Sequence, residues 1–445
     1  MNSAVLDRYR CPEQFVKSRL ISRLSERNQF FHFGANVLCY GRCCQTSQSE
    51  PRDDSLLDLA PDVSVEGSEL LLPFEPTQVI ENLRFERYVR DRNGTRTSFS
   101  LSKRLYYLFR PFLPVPLRRQ LQSIYFHAWD RIPFPQWPVD VTVDELMERL
   151  LVLFMKAAGI DEMPFIWFWP DGAASAAMMT HDVETAAGLD FCRELMTINE
   201  SFGISSSFQL VPEDRYTIAP KLLTEIRRRG HEINIQDLNH DGRLFWDRTL
   251  FEERIKRVNS YGRAFQAHGF RAAVLYRNLD WFDVLDFEYD MSVPNLGHLE
   301  AQRGGCCTVF PFFIGKVLEL PVTTTQDHSL FHILGQYSLD VWQAQVSVVM
   351  QKHGLASFIV HPDYISERRC LHTYRALLAF LSGCRVEQAM WIATAGEVDK
   401  WWRLRSQMKL VYQDKKWQIQ GAGKERARVA YARAAGGRIV YRHER

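Results

Sequence analysis

The sequence predicts an α/β protein whose central part is built on a parallel sheet or barrel. Short apolar segments alternate with helical segments along this part of the chain, which is typical of βα units around a parallel sheet. Several of the apolar segments end in acids and histidines. Because such folds place their functional groups at the carboxyl ends of the strands, these observations predict one site at one end of the barrel.

Three regions are predicted along the 445 residues. Residues 1–162 are predicted to be mainly helical, with the clearest helix over Val143–Ala158. Residues 163–395 form the barrel, and residues 396–445 form a small C-terminal β appendage. The appendage has thirteen Lys and Arg against five Asp and Glu. It is therefore either an ordinary solvated surface or a peripheral contact with a membrane face or another anionic partner.

Composition argues against several classes of protein. The net charge is +2, so bulk charge does not indicate a nucleic-acid binder. No run of 18 apolar residues occurs, and no membrane-spanning helix is expected. The N-terminal residues lack the apolar core of a secretory signal, and the nine cysteines include adjacent pairs rather than C-x-x-C pairs. A cytoplasmic location with reduced cysteines is expected.

The barrel elements are predicted from apolar runs and helical periodicity. Helices are expected over Ala186–Asn199 and Ala219–Arg229. The predicted strands are Ala176–Thr180, Ser205–Val211, His231–Ile235, Phe270–Val274, Leu318–Val322 and Ala356–Val360.

The first strand ends in Thr180-His181-Asp182-Val183-Glu184. A carboxylate in this position serves either as a general base or as a metal ligand. The alternative is that Asp182 caps the following helix and Glu184 favours its N-terminus. His181 and Asp182 point to opposite faces if the strand continues, so without a bulge only one of them faces the barrel mouth.

Two further strand ends carry histidines. His240 lies in a polar turn with Asp237 and Asp241, which is typical either of a metal ligand oriented by carboxylates or of a turn without a ligand. His361 ends a buried strand and precedes Pro362. That position favours either proton transfer or a satisfied core histidine.

Other candidates come from weaker patterns. Asp327 and His328 follow a predicted strand and are candidates for binding substrate or replacing a metal ligand, unless Asp327 caps a helix. Trp281 is a candidate for stacking on a sugar, and the alternative for it is core packing.

Five segments of the chain together resemble the motifs of a known superfamily. In order they are Thr180-His181-Asp182, Gly230-His231-Glu232-Ile233, Gly269-Phe270-Arg271-Ala272, Asp290-Met291-Ser292 and Ile359-Val360-His361-Pro362. They resemble the polysaccharide deacetylase-like, or NodB-homology, superfamily (carbohydrate esterase family four) over roughly residues 165–395. The resemblance implies a distorted (β/α) barrel, TIM-barrel-like in outline, and a metal-dependent hydrolase acting on carbohydrate.

The resemblance also implies a role for each matching residue. Asp182 falls at the position of the catalytic base, Arg271 at that of its partner, and His361 at that of the acid that protonates the leaving amine. The remaining candidates, taken as substrate-binding groups, are His181, Gln236, Asp327, His328 and Trp281.

The implied metal site departs from the family pattern. The candidate ligands are His240, Asp182, Glu184 and Asp237. Gln236 stands where the first metal histidine is expected, and Val183 stands at the metal aspartate, with Glu184 one residue further on. A neutral amide oxygen is a poor ligand for zinc, the metal expected here.

The sequence therefore predicts a metal-dependent hydrolase that removes acetyl or other N-acyl groups from a carbohydrate, with a divalent ion such as zinc as cofactor. The alternative is a catalytically inactive carbohydrate-binding or assembly protein of exopolysaccharide biosynthesis, which Gln236 and Val183 favour. Glycine-rich nucleotide-binding motifs and a Gly-x-Ser-x-Gly motif do not occur in the sequence.

Overall fold

The structure is a computed structural model that describes residues 3–44, 56–92, 125–126, 128–436 and 438–443. Two segments singled out by their composition lie outside the described residues: Gln45–Ser55, predicted to be a loop, and Arg104–Ile124, which three prolines interrupt.

The helices of the described residues are α1 (Ser3–Tyr9), α2 (Pro76–Arg84), α3 (Arg87–Arg92), α4 (Thr142–Ala158), α5 (Ala186–Ser201), α6 (Pro220–Arg228), α7 (Arg248–Ala264), α8 (Asp340–Gln351), α9 (Pro362–Ile365), α10 (Arg368–Glu387) and α11 (Ala395–Gln407).

The first strands are β1 (Ser18–Leu20), β2 (Gln29–His32), β3 (Leu38–Gly41), β4 (Ser64–Glu66), β5 (Glu69–Leu72) and β6 (Glu162–Ile166). The strands of the central sheet are β7 (Ser175–Val183), β8 (Ser206–Leu210), β9 (Glu232–Gln236), β10 (Gly269–Arg271), β11 (Tyr289–Asp290), β12 (Phe312–Ile314), β13 (Val317–Glu319), β14 (Leu355–Val360) and β15 (Met390–Ala393). The last strands are β16 (Lys409–Gln413), β17 (Lys416–Gln420), β18 (Val429–Ala435) and β19 (Arg438–His443).

Two compact units divide the chain differently from the predicted regions. The first unit comprises residues 1–92, 141–173 and 401–445, and the second comprises residues 93–140 and 174–400. The difference arises because β6 pairs antiparallel with β18. The first strand of the predicted barrel region and the C-terminal region therefore share one sheet in the first unit.

The first unit mixes short sheets with helices. Its sheets are β1-β5-β4, β2-β3, β19-β18-β6 and β16-β17, so the predicted mainly helical character of residues 1–162 is not confirmed. Helix α4 buries an apolar stripe that includes Leu150 and Phe154, and it ends at Gly159 in the left-handed conformation. In the part of the chain that the structure describes, no helix is both long and apolar enough to cross a membrane.

The second unit is built on one curled, largely parallel sheet. Its strand order is β12-β13-β11-β10-β9-β8-β7-β14, with β15 also pairing with β7, and only β12 runs antiparallel to its neighbour. Every residue of β7 and of β14 is buried, as expected for parallel strands that are covered on both faces. The α/β architecture predicted from the alternation of strands and helices is confirmed.

The curl of the sheet brings distant strands together at its carboxyl edge. Strands β7 and β10 are three positions apart in the sheet, which corresponds to about 14 Å in a flat sheet. Nevertheless, the Arg271 side chain at the end of β10 reaches the carboxylate of Asp182 on β7. This edge of the barrel carries the candidate site.

Candidate active site

Asp182 and Arg271 form a buried ion pair at the centre of the barrel mouth. The Arg271 Nη1 donates to Asp182 Oδ1 at 2.6 Å and to Thr180 Oγ1 at 2.8 Å, and its Nε donates to the carbonyl of Met291 at 3.0 Å. Arg271 is fully buried and Asp182 is 3% exposed. The guanidinium thus makes three hydrogen bonds and fixes the position of the carboxylate.

Glu184 lies on the same face of the chain as Asp182 and meets two histidines. Because strand side chains alternate, Glu184 follows Asp182 toward the mouth, whereas Val183 between them is buried on the other face. Glu184 Oε1 lies 2.7 Å from His240 Nε2 and 3.4 Å from His361 Nε2. Burial opposes ionisation of this carboxyl, but the two histidines hold the pKa of Glu184 well below its usual value.

Gln236 connects the two carboxylates. It ends β9, next to Arg271 in the register of the sheet, and its Nε2 donates to Asp182 Oδ2 at 3.1 Å and to Glu184 Oε1 at 3.2 Å. Its Oε1 is buried and receives no hydrogen bond from any residue that the structure describes. The side chain that replaces the expected histidine thus lies in the centre of the site.

His361 is held by Asp327. The Asp327 carboxylate accepts from the His361 backbone N–H at 2.7 Å and lies 2.6 Å from His361 Nδ1, so the ring's other nitrogen faces Glu184. Burial acts to lower the pKa of His361, but Asp327 and Glu184 raise it well above the ordinary value. The Asp327 carboxylate, which has no exposed surface, therefore fixes the orientation of the imidazole at the mouth.

The donor set fits a divalent ion. Ligand atoms of Asp182, Glu184 and His361 all lie within 4.8 Å of one another. His240 Nε2 has no aligned hydrogen bond within the described part of the chain, despite its 2.7 Å contact with Glu184. Atoms bound to one ion at 2.0–2.2 Å lie roughly 3 Å apart, so the 2.7 Å between His240 Nε2 and Glu184 Oε1 is also compatible with two ligands of one ion.

Two of the predicted site residues lie away from this cluster. His181 points to the opposite face of β7, where Nδ1 contacts the carbonyl of Val360 and Nε2 contacts Asn199 Nδ2 at 2.8 Å. Burial lowers the pKa of His181 to about 3, so it is a neutral core histidine. Asp237 is buried in the turn after β9, where its Oδ1 accepts from Leu238 N, and burial raises its pKa to about 6.

Trp281 packs within an aromatic cluster. Its ring stacks on Phe245 at 6.1 Å and contacts Phe251 at 5.2 Å, with the Arg248 guanidinium over it. These contacts correspond to the core-packing alternative, because the ring faces are already covered by protein side chains.

Tyr364 borders the site but is not among the residues predicted from the sequence. Its ring centre lies 4.8 Å from that of His361 and 5.6 Å from that of His328. The available signal was its position, three residues after His361 at the start of a helix. Asp327, predicted to bind substrate or replace a metal ligand, contacts His361, and His328 lies beside Tyr364.

Comparisons with known proteins give similarity only at the level of structures. No protein-family model matches the chain, and no curated protein matches it. A protein from Mycobacterium smegmatis assigned as a polysaccharide deacetylase matches with 17% identity over 56% of this chain and 98% of its own, at a TM-score of 0.45. The allantoinase PuuE matches with 13% identity over 53% of this chain and 92% of its own, at 0.42.

A protein from Pseudomonas aeruginosa PAO1, also assigned as a polysaccharide deacetylase, matches with 11% identity over 53% of this chain and 93% of its own, at 0.42. Polysaccharide deacetylases, the proteins that the sequence motifs resemble, are among the solved structures matched, at low identity and over about half of the chain.

Proposed function

We propose that the protein is a metal-dependent hydrolase that removes N-acyl groups, acetyl first among them, from a carbohydrate. One observation supports this most strongly. An arginine-paired aspartate, a glutamate–histidine contact and an aspartate-oriented histidine converge at the carboxyl edge of one curled sheet. A base, a set of metal ligands and an acid are the groups that hydrolysis of an amide requires.

Asp182 acts as the base in this proposal. Arg271 holds one oxygen of its carboxylate, and Gln236 Nε2 holds the second oxygen. The carboxylate accepts a proton from the attacking water. The Arg271 guanidinium beside it stabilises negative charge on the reacting groups during this step.

His361 acts as the acid. Its Nε2 faces the mouth, while Asp327 at Nδ1 stabilises the imidazolium and fixes the ring. The imidazolium gives its Nε2 proton to the amine nitrogen as the carbon–nitrogen bond breaks. Asp327 is a positioning residue, because it acts through His361.

Glu184 and His240 would hold the metal, with the buried Gln236 Oε1 as a third donor. A bound divalent ion polarises the amide carbonyl and lowers the pKa of water. Carboxylate and imidazole donors suit zinc, and the amide oxygen also suits harder ions such as Mn²⁺ or Mg²⁺.

Release of acetate from N-acetylated oligosaccharides tests the proposal. Purified wild-type protein, loaded in turn with Zn²⁺, Co²⁺ or Mn²⁺, is assayed for acetate beside Asp182→Asn and His361→Gln. We expect each variant to lose at least 100-fold in turnover, the contribution typical of a general acid or base. The exposed His372→Gln serves as the control and should retain wild-type turnover.

Metal content gives an independent result. We expect near-stoichiometric metal in the wild type and its loss in His240→Ala, with no change in His268→Ala, whose side chain is 61% exposed. Wild-type turnover after removal of all metal, or in His361→Gln, would show that the proposal is wrong.

A second candidate function is carbohydrate binding without turnover, for example in exopolysaccharide assembly. Gln236 supports it, because its amide nitrogen satisfies both carboxylates and so replaces part of what a cation would supply. Calorimetric binding of an N-acetylated oligosaccharide, with neither metal nor acetate release, would favour this function. Binding abolished by a chelator would count against it.

The exposed bases of the C-terminal region support one further proposal, contact with an anionic membrane face. Lys409, Lys415 and Lys416 are exposed on the β16–β17 hairpin, whereas Arg442 is already paired with Glu162 at 2.8 Å. We expect salt-sensitive pelleting with anionic liposomes and none with neutral liposomes. Equal pelleting with both kinds would contradict this contact.

A further inference from the structure

We propose that His328 and His332 form a second transition-metal site at the rim of the barrel mouth. The site is separate from the metal ligands proposed above, and it does not depend on the proposed hydrolysis. It would take an ion that accepts imidazole nitrogen, such as Zn²⁺, Ni²⁺ or Cu²⁺.

The spacing of the two histidines places them on one side of a helical turn. The backbone of His328 is itself helical, and the residues Ser329–Ile333 continue as a π-helical turn, in which Leu334 N–H donates to the Ser329 carbonyl. Residues four apart lie on the same side of such a turn. π-helical turns are rare, and they are frequent at functional sites.

The separation of the rings matches that of two imidazoles on one ion. Their centres are 5.6 Å apart, with an angle of 61° between the ring planes. A zinc–nitrogen bond of about 2.0–2.1 Å, added to roughly 1.2 Å from nitrogen to ring centre, puts the ion roughly 3.2 Å from each centre. At an N–metal–N angle of about 110–120°, the two centres are then roughly 5.2–5.5 Å apart.

The pair of histidines is partly open to solvent. Both histidines and Tyr364 are half-buried rather than enclosed. Tyr364 packs between them and His361, with its ring centre 4.9 Å from that of His332 and 4.8 Å from that of His361. The Asp327 carboxylate, which accepts from His328 N–H, adds negative charge beside the pair.

Zinc stoichiometry of the untagged full-length protein tests the proposal. After removal of metal with a chelator, the protein is dialysed against a series of Zn²⁺ concentrations, and bound zinc is measured by plasma mass spectrometry. We expect two ions per wild-type chain and one per His332→Ala chain. His372→Ala removes an exposed histidine from α10 and should still bind two.

His240→Ala separates this site from the proposed active-site metal. Loss of one ion in His240→Ala and of the other in His332→Ala supports both sites. A single ion that His240→Ala loses and His332→Ala keeps overturns the second site and leaves the first intact. A single ion lost only in His332→Ala supports the second site and removes the metal from the proposed function.

A spectroscopic measurement covers the case in which His332→Ala does not fold, as judged by circular dichroism. His332→Gln keeps a polar side chain of similar size. In a His240→Ala background, we expect the paramagnetic resonance spectrum of bound Cu²⁺ to show coupling to two imidazole nitrogens. Introducing His332→Gln should reduce this to one, and an unchanged spectrum overturns the proposal.

Discussion

Replacement of Arg271 by Met removes the cation that faces Asp182 inside the barrel. Both side chains are buried, with 0% and 3% exposure. Loss of one partner of a buried ion pair costs about 3–5 kcal/mol, and the lost hydrogen bonds to Thr180 and Met291 add about 1 kcal/mol each. We expect Arg271→Met to lower the free energy of unfolding by about 5–7 kcal/mol, a large share of the 5–15 kcal/mol typical of a domain.

Most of that cost should come from the carboxylate left without its partner. Asp182→Asn, introduced into the Arg271→Met protein, removes the buried charge and should restore about 2 kcal/mol or more. Arg254→Met is the matched control. It breaks a pair with Asp241 at 2.8 Å, whose side chains are 16% and 27% exposed, and we expect a loss of about 1 kcal/mol or less.

The assay must report the barrel by itself, because a chain with two compact units need not unfold in one step. Hydrogen exchange of peptides from β7 and β10 in increasing urea, measured by mass spectrometry, meets this requirement. Two results would refute the reasoning. One is a loss in the free energy of unfolding for Arg271→Met that is no larger than the loss for Arg254→Met. The other is that Arg271→Met combined with Asp182→Asn is no more stable than Arg271→Met alone.

Three further predictions concern single positions. Gln236→His supplies an imidazole between the two carboxylates, so zinc affinity should rise at least 10-fold in competition with a chromophoric chelator; equal affinity would contradict this placement. The pKa of His181 is lowered to about 3 from about 6.5 when unfolded, so its stabilising contribution is complete above pH 6.5 and declines as pH falls toward 3. Between pH 7 and 5 the loss of this contribution lowers the free energy of unfolding by roughly 2 kcal/mol. His181→Asn should therefore flatten the dependence of the urea midpoint on pH over that range. Gly269→Ala places a Cβ 2.2 Å from the Tyr289 ring and should destabilise the barrel by about 1–3 kcal/mol in the same assay, whereas wild-type stability would disprove the clash.

Sequence periodicity predicted the two fully buried strands β7 and β14, because parallel strands buried on both faces leave long apolar runs. It did not predict β11, β12 or β15. The predicted strand at Ala176–Thr180 lies within β7, and that at Ala356–Val360 lies within β14. The predicted end of strand β10 was wrong. The predicted run to Val274 stops at Arg271, because the chain turns there through a left-handed Val274, and a propensity pattern carries no signal for such a turn.

The roles of polar residues depended on which face they occupy. The alternation of a strand already indicated that His181 and Asp182 point apart, and the structure places His181 in the core. For Asp327 the sequence offered capping or ligand binding. Its contact with His361 joins residues 34 positions apart, so it depends on how the strands pack and could not be inferred from neighbours in the chain.

Asp182 and Glu184 stand two positions apart, where the motif resemblance implies two adjacent acids. Two acids next to each other on a strand face opposite ways unless the strand twists or ends between them, whereas acids two apart face the same way. Glu184 also lies just beyond the last residue of β7, where its longer side chain reaches both His240 and His361. Val183 is therefore free to be an apolar core residue, and its presence at the expected metal position does not by itself indicate that a metal site has been lost. Gln236 is the more consequential departure. It stands at the position where a metal ligand is expected, but its neutral amide oxygen is not a donor that zinc prefers.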